Sequence, residues 1–161
     1  MNQDASVAAE LGTGWFGAGL SPHAVTRLSE CCASVTSYPV DAVIMREGDD
    51  THPFGIVASG RVALRLLVPE RGATTILTVE PGDVLGWSAL VPPYRATSTA
   101  IAIEPSELLV FDARALRDAL DEDEDLAAAL YPRLLRAVAR RLEATRLQLL
   151  DVFARAEEAA W

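Results

Sequence analysis

The sequence has few basic residues, only two histidines and only two cysteines. Its 161 residues include 14 Lys+Arg against 23 Asp+Glu, which gives a formal net charge of −9 and a sequence pI of about 4.6. Broad adhesion to nucleic acid or anionic lipid needs clustered Lys and Arg, so this balance argues against both. Cys31 and Cys32 are neighbours, and a bridge between adjacent cysteines would strain disulfide geometry, so we expect reduced thiols.

Long apolar runs are also missing. No segment approaches the ~20 apolar residues that span a bilayer, and the N-terminus lacks a basic region followed by an apolar core. We therefore predict a soluble, cytoplasmic protein. The hydrophobic fraction of 50% is enough to build one compact domain.

Residues suited to catalysis or metal binding are scarce. His23 and His52 are too few for the several histidine and carboxylate ligands of a barrel oxygenase. A nucleophile–base pair of Cys31 or Cys32 with His23 lacks an oxyanion motif, and two small apolar residues that close a helix explain the cysteines better. We predict that the protein is not an enzyme and uses no metal or cofactor.

The predicted elements run in the order helix, strands, helices. Residues 1–12 have no periodicity and are predicted to be a flexible tail. Ser21-Pro22 has the pattern of an N-cap followed by a proline in the first helical position. Between about 35 and 112, eight short β-rich runs alternate with Gly, Pro and Asp turns, which favours a closed barrel or a jelly roll. We divide the rest into a helix plus jelly roll over 13–113 and C-terminal helices over 114–161.

The C-terminal part is predicted to be helical, although Pro132 requires that its long helix either restarts or kinks. Beyond the proline, apolar residues and one threonine follow at spacings of three and four, as in a heptad seam. The seam residues are Leu135, Val138, Leu142, Thr145, Leu149 and Val152. They predict a homodimer through this helix; the alternative is that this face packs on its own barrel. A basic stripe of Arg133, Arg136 and Arg140 is interpreted as a solvated surface.

The segment 81–100, PGDVLGWSALVPPYRATSTA, is the most informative one. A strand ends at Gly86, a helical turn can start at Ser88, and a proline-set turn leads to Arg95 at the start of the next strand. Backbone N–H groups at a helix N-terminus together with an arginine favour a phosphate site, in which Arg95 would be buried and paired. The alternative is an arginine on a solvated strand end.

The run PGDVLG–SALVPPYRATSTA, with REGDD at 46–50 and ASGRVAL at 58–64, resembles the phosphate-binding cassette of the cyclic nucleotide-binding domain family, of the catabolite activator-like type. The resemblance covers about residues 15–155. It implies a mainly β fold, an eight-stranded antiparallel double-sheet jelly roll with an N-terminal helix and a long C-terminal helix. The ligand-binding residues that it implies are Gly86, Trp87, Ser88, Ala89, Arg95, Ala96 and Thr97, with Arg95 on the phosphate. ARRLEAT at 139–145 resembles the stretch that carries a base-contacting threonine, which places that role on Thr145.

Two features depart from the family pattern. Trp87 stands where the family has a glutamate that accepts a hydrogen bond from the ribose 2′-hydroxyl, and an indole is only a donor. Only nine residues follow Val152, too few for a helix-turn-helix.

The resemblance and these departures together predict a stand-alone regulatory sensor without a DNA-binding domain. It would bind a small phosphate-bearing or other anionic ligand, with cAMP and cGMP as candidates, and signal through its C-terminal helix. The alternative is a jelly-roll protein–protein assembly module that binds no nucleotide. We expect no direct contact with DNA or membrane.

Overall fold

The computed structural model describes residues 3–50, 53–69 and 71–158. Its elements, in chain order, are α1 Gln3–Thr13, α2 Pro22–Glu30, β1 Cys32–Tyr38, β2 Val43–Met45, β3 Phe54–Ser59, β4 Val62–Val68, β5 Gly72–Val79, β6 Val84–Leu85, a 3₁₀ helix Trp87–Leu90, β7 Thr99–Ala102, β8 Ser106–Phe111, α3 Ala113–Glu122 and α4 Glu124–Glu158. This order of elements confirms the predicted fold class.

The strands of the described residues pair into two four-stranded sheets, and all the pairs are antiparallel. One sheet has the order β1-β8-β3-β6 and the other the order β2-β7-β4-β5. Strands that follow each other in sequence mostly lie in opposite sheets, as in a jelly roll. An exception is the hairpin of β4 and β5, whose register runs from Val62 opposite Val79 to Val68 opposite Gly72.

Two apolar clusters lie on the two faces of the first sheet, and the alternation of side chains along β8 separates them. Leu109 and Phe111 face the helices, whereas Leu108 lies between the sheets. The rings of Phe54 and Phe111 are 5.7 Å apart on the helix side. The cluster between the sheets consists of Met45, Val57, Val62, Leu64, Val79, Leu85, Ala96, Ala100 and Leu108. Leu85 precedes the predicted ligand segment and Ala96 lies near its end, so the segment is fixed to the interior of the roll at both places.

Helix α1 lies where the sequence predicted a flexible tail, so that prediction is wrong for residues 3–12. Val7 and Leu11 are each 1% exposed and belong to the helix-side cluster. They are four residues apart and therefore share one helix face, but two large apolar residues give only a weak periodic signal. A Cβ atom on Gly17 would lie 1.8 Å from the Leu11 carbonyl oxygen, so the return of the chain against α1 requires glycine there.

The start of α2 is as predicted. Ser21 Oγ accepts a hydrogen bond from the Ala24 N–H at 3.1 Å, and Pro22 is the first helical residue. The serine satisfies a donor that has no partner within the helix, and the proline has no N–H to satisfy.

Helix α4 runs unbroken from Glu124 to Glu158 and does not restart at Pro132. The proline lacks an N–H and so removes one hydrogen bond from the helix interior. Burial of Leu130 and Leu134, which are 1% and 7% exposed, offsets this loss on both sides of the proline. Within the described residues, neither α4 nor any other helix has an apolar stretch of the length that would cross a membrane.

Candidate ligand site

The candidate ligand site is the segment 86–98 between β6 and β7, called the cassette below. Gly86 has a φ of 71°, a left-handed conformation that glycine adopts without strain, and it turns the chain into the 3₁₀ helix. The Ala89 N–H closes this turn on the Gly86 carbonyl at 2.8 Å. Ser88 and Ala89 are buried, with 4% and 3% exposure. The structure thus brings Gly86, Trp87, Ser88 and Ala89 together in one turn.

The second half of the cassette pairs with the loop 46–50, which carries the REGDD motif. The Ala96 N–H donates to the Asp49 carbonyl at 2.9 Å, and the Gly48 N–H donates to the Ala96 carbonyl at 2.8 Å. Ala96 is buried between the sheets, whereas Thr97 is exposed. The two motifs that the sequence analysis linked by resemblance therefore form one structural unit.

Arg95 is exposed, so the expectation that it is buried is wrong. Its side chain is 58% exposed, and its Nε donates at 2.7 Å to Oδ1 of Asp50, which is 78% exposed. The neighbouring Ala96 is the residue that turns inward, and alternation then directs Arg95 outward. Such exposed ion pairs contribute about 0–1 kcal/mol to stability. Arg95 can therefore exchange Asp50 for another anion at little cost in free energy.

Trp87 lies against α4 on one side of an open apolar groove of about 570 Å³. Three residues per turn place Trp87 and Leu90 on the same face of the 3₁₀ helix. The groove is lined by Trp87, Leu90 and Val91 of the cassette and by Tyr131, Pro132, Leu134, Leu135 and Val138 of α4. Nε1 of Trp87 is buried and has no hydrogen-bond partner within residues 3–50, 53–69 and 71–158. The Trp87 ring therefore lines the same groove as the α4 residues.

Arg117 of α3 braces the cassette, a role that the sequence analysis missed. Its Nη1 donates to the Ala89 carbonyl at 2.6 Å, and its guanidinium lies 4.4 Å from the centroid of the Tyr94 ring. One side chain thereby holds both ends of the proline-containing turn. No local motif marks Arg117, because its partners lie in a different element.

Asp83, the residue before β6, is a second anchor that the sequence analysis missed. Its Oδ1 accepts hydrogen bonds from Trp15 Nε1 and, at 2.7 Å, from Arg140 Nη1 of α4. Next to it, Arg141 Nη2 donates to the Val84 carbonyl at 2.8 Å. Burial lowers the pKa of Arg141 to about 10, which still leaves it charged at neutral pH. Two consecutive arginines therefore fix α4 to the two residues that lead into the cassette.

The predicted basic stripe is not simply a solvated surface, so that interpretation is corrected. Arg133 Nη2 donates to the Ala18 carbonyl at 2.8 Å, and the guanidinium of Arg136 lies 5.1 Å from the centroid of the Trp15 ring. The guanidinium of Arg140 lies 5.7 Å from the same centroid, so the stripe faces the loop between α1 and α2. The three arginines join α4 to the N-terminal part of the chain.

Thr145 lies apart from the cassette. It is exposed on α4, and its Oγ1 donates to the Arg141 carbonyl of the preceding turn at 2.8 Å. Seven residues separate it from Val138 of the groove, which is about 10 Å along a helix. Near it, Gln148 Nε2 donates to the Thr75 carbonyl of β5 at 2.8 Å, so this part of α4 rests on the roll.

The predicted seam is exposed, and a different face of α4 packs on the roll. Leu135, Leu142 and Leu149 are 70%, 50% and 54% exposed, whereas Ala137 is buried. Val138 is partly buried and Thr145 is exposed. The side chain of Val152 lies outside the described residues. In the described part of the helix, the seam therefore does not pack on its own roll, which was the alternative to a dimer.

The cysteines and histidines considered for nucleophilic chemistry lie outside the cassette. Cys31 and Cys32 are not joined in a disulfide, and burial raises the pKa of Cys31, which disfavours its thiolate. His23 Nε2 lies 2.7 Å from Asp123 Oδ2 at the start of α4. His52 lies outside the described residues. These groups form no nucleophile–base pair within the described part of the chain.

The family model described as a cyclic nucleotide-binding domain matches residues 35–123 of the 161. The chain belongs to the cyclic nucleotide-binding domain family. The match includes the loop 46–50 and the whole cassette, so it covers the elements that the resemblance singled out. No curated protein sequence matches the chain.

Solved structures with the same fold include proteins of different organisation. A cyclic nucleotide-binding protein from Geobacter metallireducens has a TM-score of 0.73 and 24% identity, over 88% of this chain and 99% of that one. The catabolite activator protein of Thermus thermophilus has a TM-score of 0.66 and 25% identity, over 90% of this chain and 63% of that one. A cAMP-binding acyltransferase from Mycobacterium smegmatis has a TM-score of 0.66 and 28% identity, over 88% of this chain and 42% of that one.

Proposed function

We propose that this member of a regulatory sensor family binds a small phosphate-bearing or other anionic ligand at the cassette and signals through α4. In this proposal the unit of residues 13–113 binds the ligand. Residues 114–161 form a homodimer with a second copy. The adjacent Cys31 and Cys32, which form no disulfide, favour a cytoplasmic location, where thiols remain reduced.

The observation that carries the proposal is the double anchor between α4 and the start of β6. Arg140 binds Asp83, and Arg141 binds the carbonyl of Val84, the first residue of β6. β6 has only two residues before Gly86 begins the cassette. A ligand that shifts the cassette would therefore displace the groups that hold α4.

The ligand chemistry follows from Arg95. Its guanidinium is exposed and is bound to an exposed carboxylate, Asp50. A phosphate offers more acceptor oxygens than a carboxylate and fits the two-pronged donor geometry of arginine. The family supplies cAMP and cGMP as the candidates to test first.

Signalling in this proposal is a population shift. A ligand that binds more tightly when α4 has one placement on the roll biases the protein toward that placement by its differential affinity. The exposed Leu135, Leu142 and Leu149 give α4 an apolar face through which the placement can reach a second copy. A heptad spacing of these residues supports helix-to-helix pairing.

The experiment is a thermal melt of the purified protein with and without cAMP or cGMP. A ligand at 100 times its dissociation constant stabilises the folded state by about 2.7 kcal/mol, so the melting temperature should rise with ligand concentration. The Arg95→Ala variant should melt at the same temperature without ligand, and a roughly ten- to hundredfold weaker affinity should remove about half or more of the rise. No rise with either nucleotide in the native protein would exclude both as ligands.

A second candidate function is protein–protein assembly without nucleotide binding, and Trp87 favours it. The indole replaces the carboxylate that accepts the sugar hydroxyl in the family, and its ring lines a groove with α4 instead. Under this alternative the cassette would be a fixed support for α4. The melt then shows no nucleotide effect while the oligomer persists.

A further inference from the structure

We propose that a second copy of this chain covers the groove between the 3₁₀ helix and α4, so that the cassette is itself part of the dimer interface. The inference rests on the α4 homodimer of the proposed function and adds Trp87, Leu90 and Val91 to its surface. Trp87 would then contact the partner, in place of the sugar contact that its position makes in the family.

The groove and the seam are one continuous surface. Leu135 and Val138 belong to both, since they line the groove and begin the heptad pattern. The groove is also open: Val91 is 46%, Tyr131 52% and Leu135 70% exposed. A helix that pairs with the seam at Leu135 must therefore pass beside the cassette. This continuity identifies a second α4 as the occupant of the groove.

The size of the seam supports the same occupant. From Leu135 to Leu149 the seam extends 14 residues, or roughly 21 Å along the helix. Stable interfaces bury about 1,200–2,000 Å² in total, and a single short row of leucines supplies only part of that area. The apolar groove adjoins this row at its N-terminal end, at Leu135 and Val138. A dimer that uses both surfaces buries more apolar area than the seam alone, with residues that are already exposed.

Such an interface would couple ligand binding to dimerisation. Ser88 and Ala89 of the 3₁₀ helix are buried, whereas Trp87 and Leu90 line the groove, so one short helix belongs to both the cassette and the groove. A ligand that moves this helix changes the fit of the partner, and by linkage dimerisation changes the affinity for the ligand by the same factor.

The test compares two exposed valines by sedimentation velocity over a range of protein concentrations. Val91 lines the groove, whereas Val40 lies in the turn between β1 and β2, and the two are 46% and 49% exposed. Val91→Glu should raise the dimer dissociation constant at least tenfold, because the partner would have to bury a carboxylate. Val40→Glu should leave the constant unchanged. Equal melting temperatures of both variants at concentrations where they are monomeric show that the fold is intact.

Three results would overturn the inference. If Val91→Glu dimerises like the native chain while Leu142→Glu is monomeric, the α4 dimer stands but the cassette lies outside it. If Val40→Glu weakens the dimer as much as Val91→Glu, the effect comes from added charge rather than from the groove. If the native chain is a monomer throughout, the proposed dimer fails as well, although the nucleotide melt can still succeed.

Trp87 fluorescence gives an independent readout. On dilution through the dissociation constant, the native protein should show a red shift as the groove becomes solvated. The Trp87→Phe variant should keep the dimer and lose this shift. A shift of equal size in Trp87→Phe would assign it to another tryptophan and contradict the inference.

Discussion

Asp83 connects helix α4 to the N-terminal loop and to the start of the cassette strand. Its Oδ1 lies 2.7 Å from Arg140 Nη1 and also accepts the indole N–H of Trp15. The carboxylate is 14% exposed, so its hydrogen bonds are largely shielded from water. Residues distant in sequence thus meet at one side chain that precedes Gly86 by three positions. Movement of the cassette and movement of α4 share this contact.

We predict that Asp83→Ala destabilises the fold. Trp15 and Arg140 would lose their acceptor, and unsatisfied buried or charged partners cost about 1–3 kcal/mol. Urea unfolding followed by circular dichroism measures the loss. Asp118→Ala, at an exposed position of α3, is the control and should change stability by less than about 0.5 kcal/mol. A loss in Asp83→Ala no larger than in the control would contradict this role.

The seam prediction concerns Leu142 and Leu149. Replacing both by Glu would place like charges against their partners and give monomers at micromolar concentration. Leu147 and Leu150, which are 65% and 64% exposed on another face of α4, provide the matched control when they are both replaced by Glu. Sedimentation equilibrium should find monomers in the first variant and the native mass in the second. If the two variants behave alike, the seam is not the interface.

The parts of the fold that sequence could predict depend on short-range patterns. The eight β runs, the Ser21-Pro22 helix start and the Gly86 turn are each determined by residues within a few positions of one another. The cassette unit was predictable for the same reason, because its residues are contiguous and its loop partner at 46–50 carries a motif of its own.

What the sequence could not predict depends on contacts between distant residues. Arg117 reaches Ala89 across 28 positions, and Trp15 reaches Asp83 across 68. No periodicity marks such pairs. Arg95 was predicted to be buried because a lone arginine in a phosphate site needs a partner, and the sequence does not show that Asp50 supplies one from outside the roll. Helix α1 was missed because packing, rather than its own sequence pattern, stabilises it.

Arg95→Ala should weaken any phosphate-bearing ligand by roughly ten- to a hundredfold, because hydrogen bonds to charged groups contribute about 1.5–3 kcal/mol. Arg95→Lys should recover only part of the affinity, since an ammonium lacks the two-pronged geometry. The control is Arg61→Ala, because Arg61 is also an exposed arginine bound to an exposed carboxylate, Glu104. If isothermal titration calorimetry finds equal affinity in the native protein and Arg95→Ala, a phosphate site at Arg95 is excluded.

Asp50→Asn should have the opposite effect. Removing the charge that competes for Arg95 frees the guanidinium, and an exposed pair worth up to about 1 kcal/mol corresponds to at most about a fivefold gain in affinity. The gain should shrink as salt is raised, because the competing attraction is screened. Asp121→Asn, at an exposed position of α3, changes the net charge equally and should leave the affinity unchanged. Weaker binding in Asp50→Asn would instead make Asp50 a ligand contact.

The last prediction concerns Trp87→Glu, which restores the residue type that the family has at this position. If the cassette holds a phosphate and only the sugar contact is missing, the new carboxylate accepts the 2′-hydroxyl. Binding of cAMP or cGMP should then tighten at least tenfold, about 1.4 kcal/mol, which one charge-assisted hydrogen bond can supply. Trp87→Gln is the matched control, because it removes the same ring without adding a charge.

The stability of Trp87→Glu separates the two candidate functions. In a sensor, the ring in the groove is a peripheral contact and its loss changes the melting temperature only slightly. In an assembly module, the ring holds α4 against the cassette, and removing a packed aromatic side chain costs up to about 3–5 kcal/mol of stability. The sensor is supported if Trp87→Glu binds the nucleotide more tightly and loses little stability, while Trp87→Gln shows no tighter binding. The assembly module is supported if neither variant binds a nucleotide and both lose the same large amount of stability. The ring would then act only through its packing on α4.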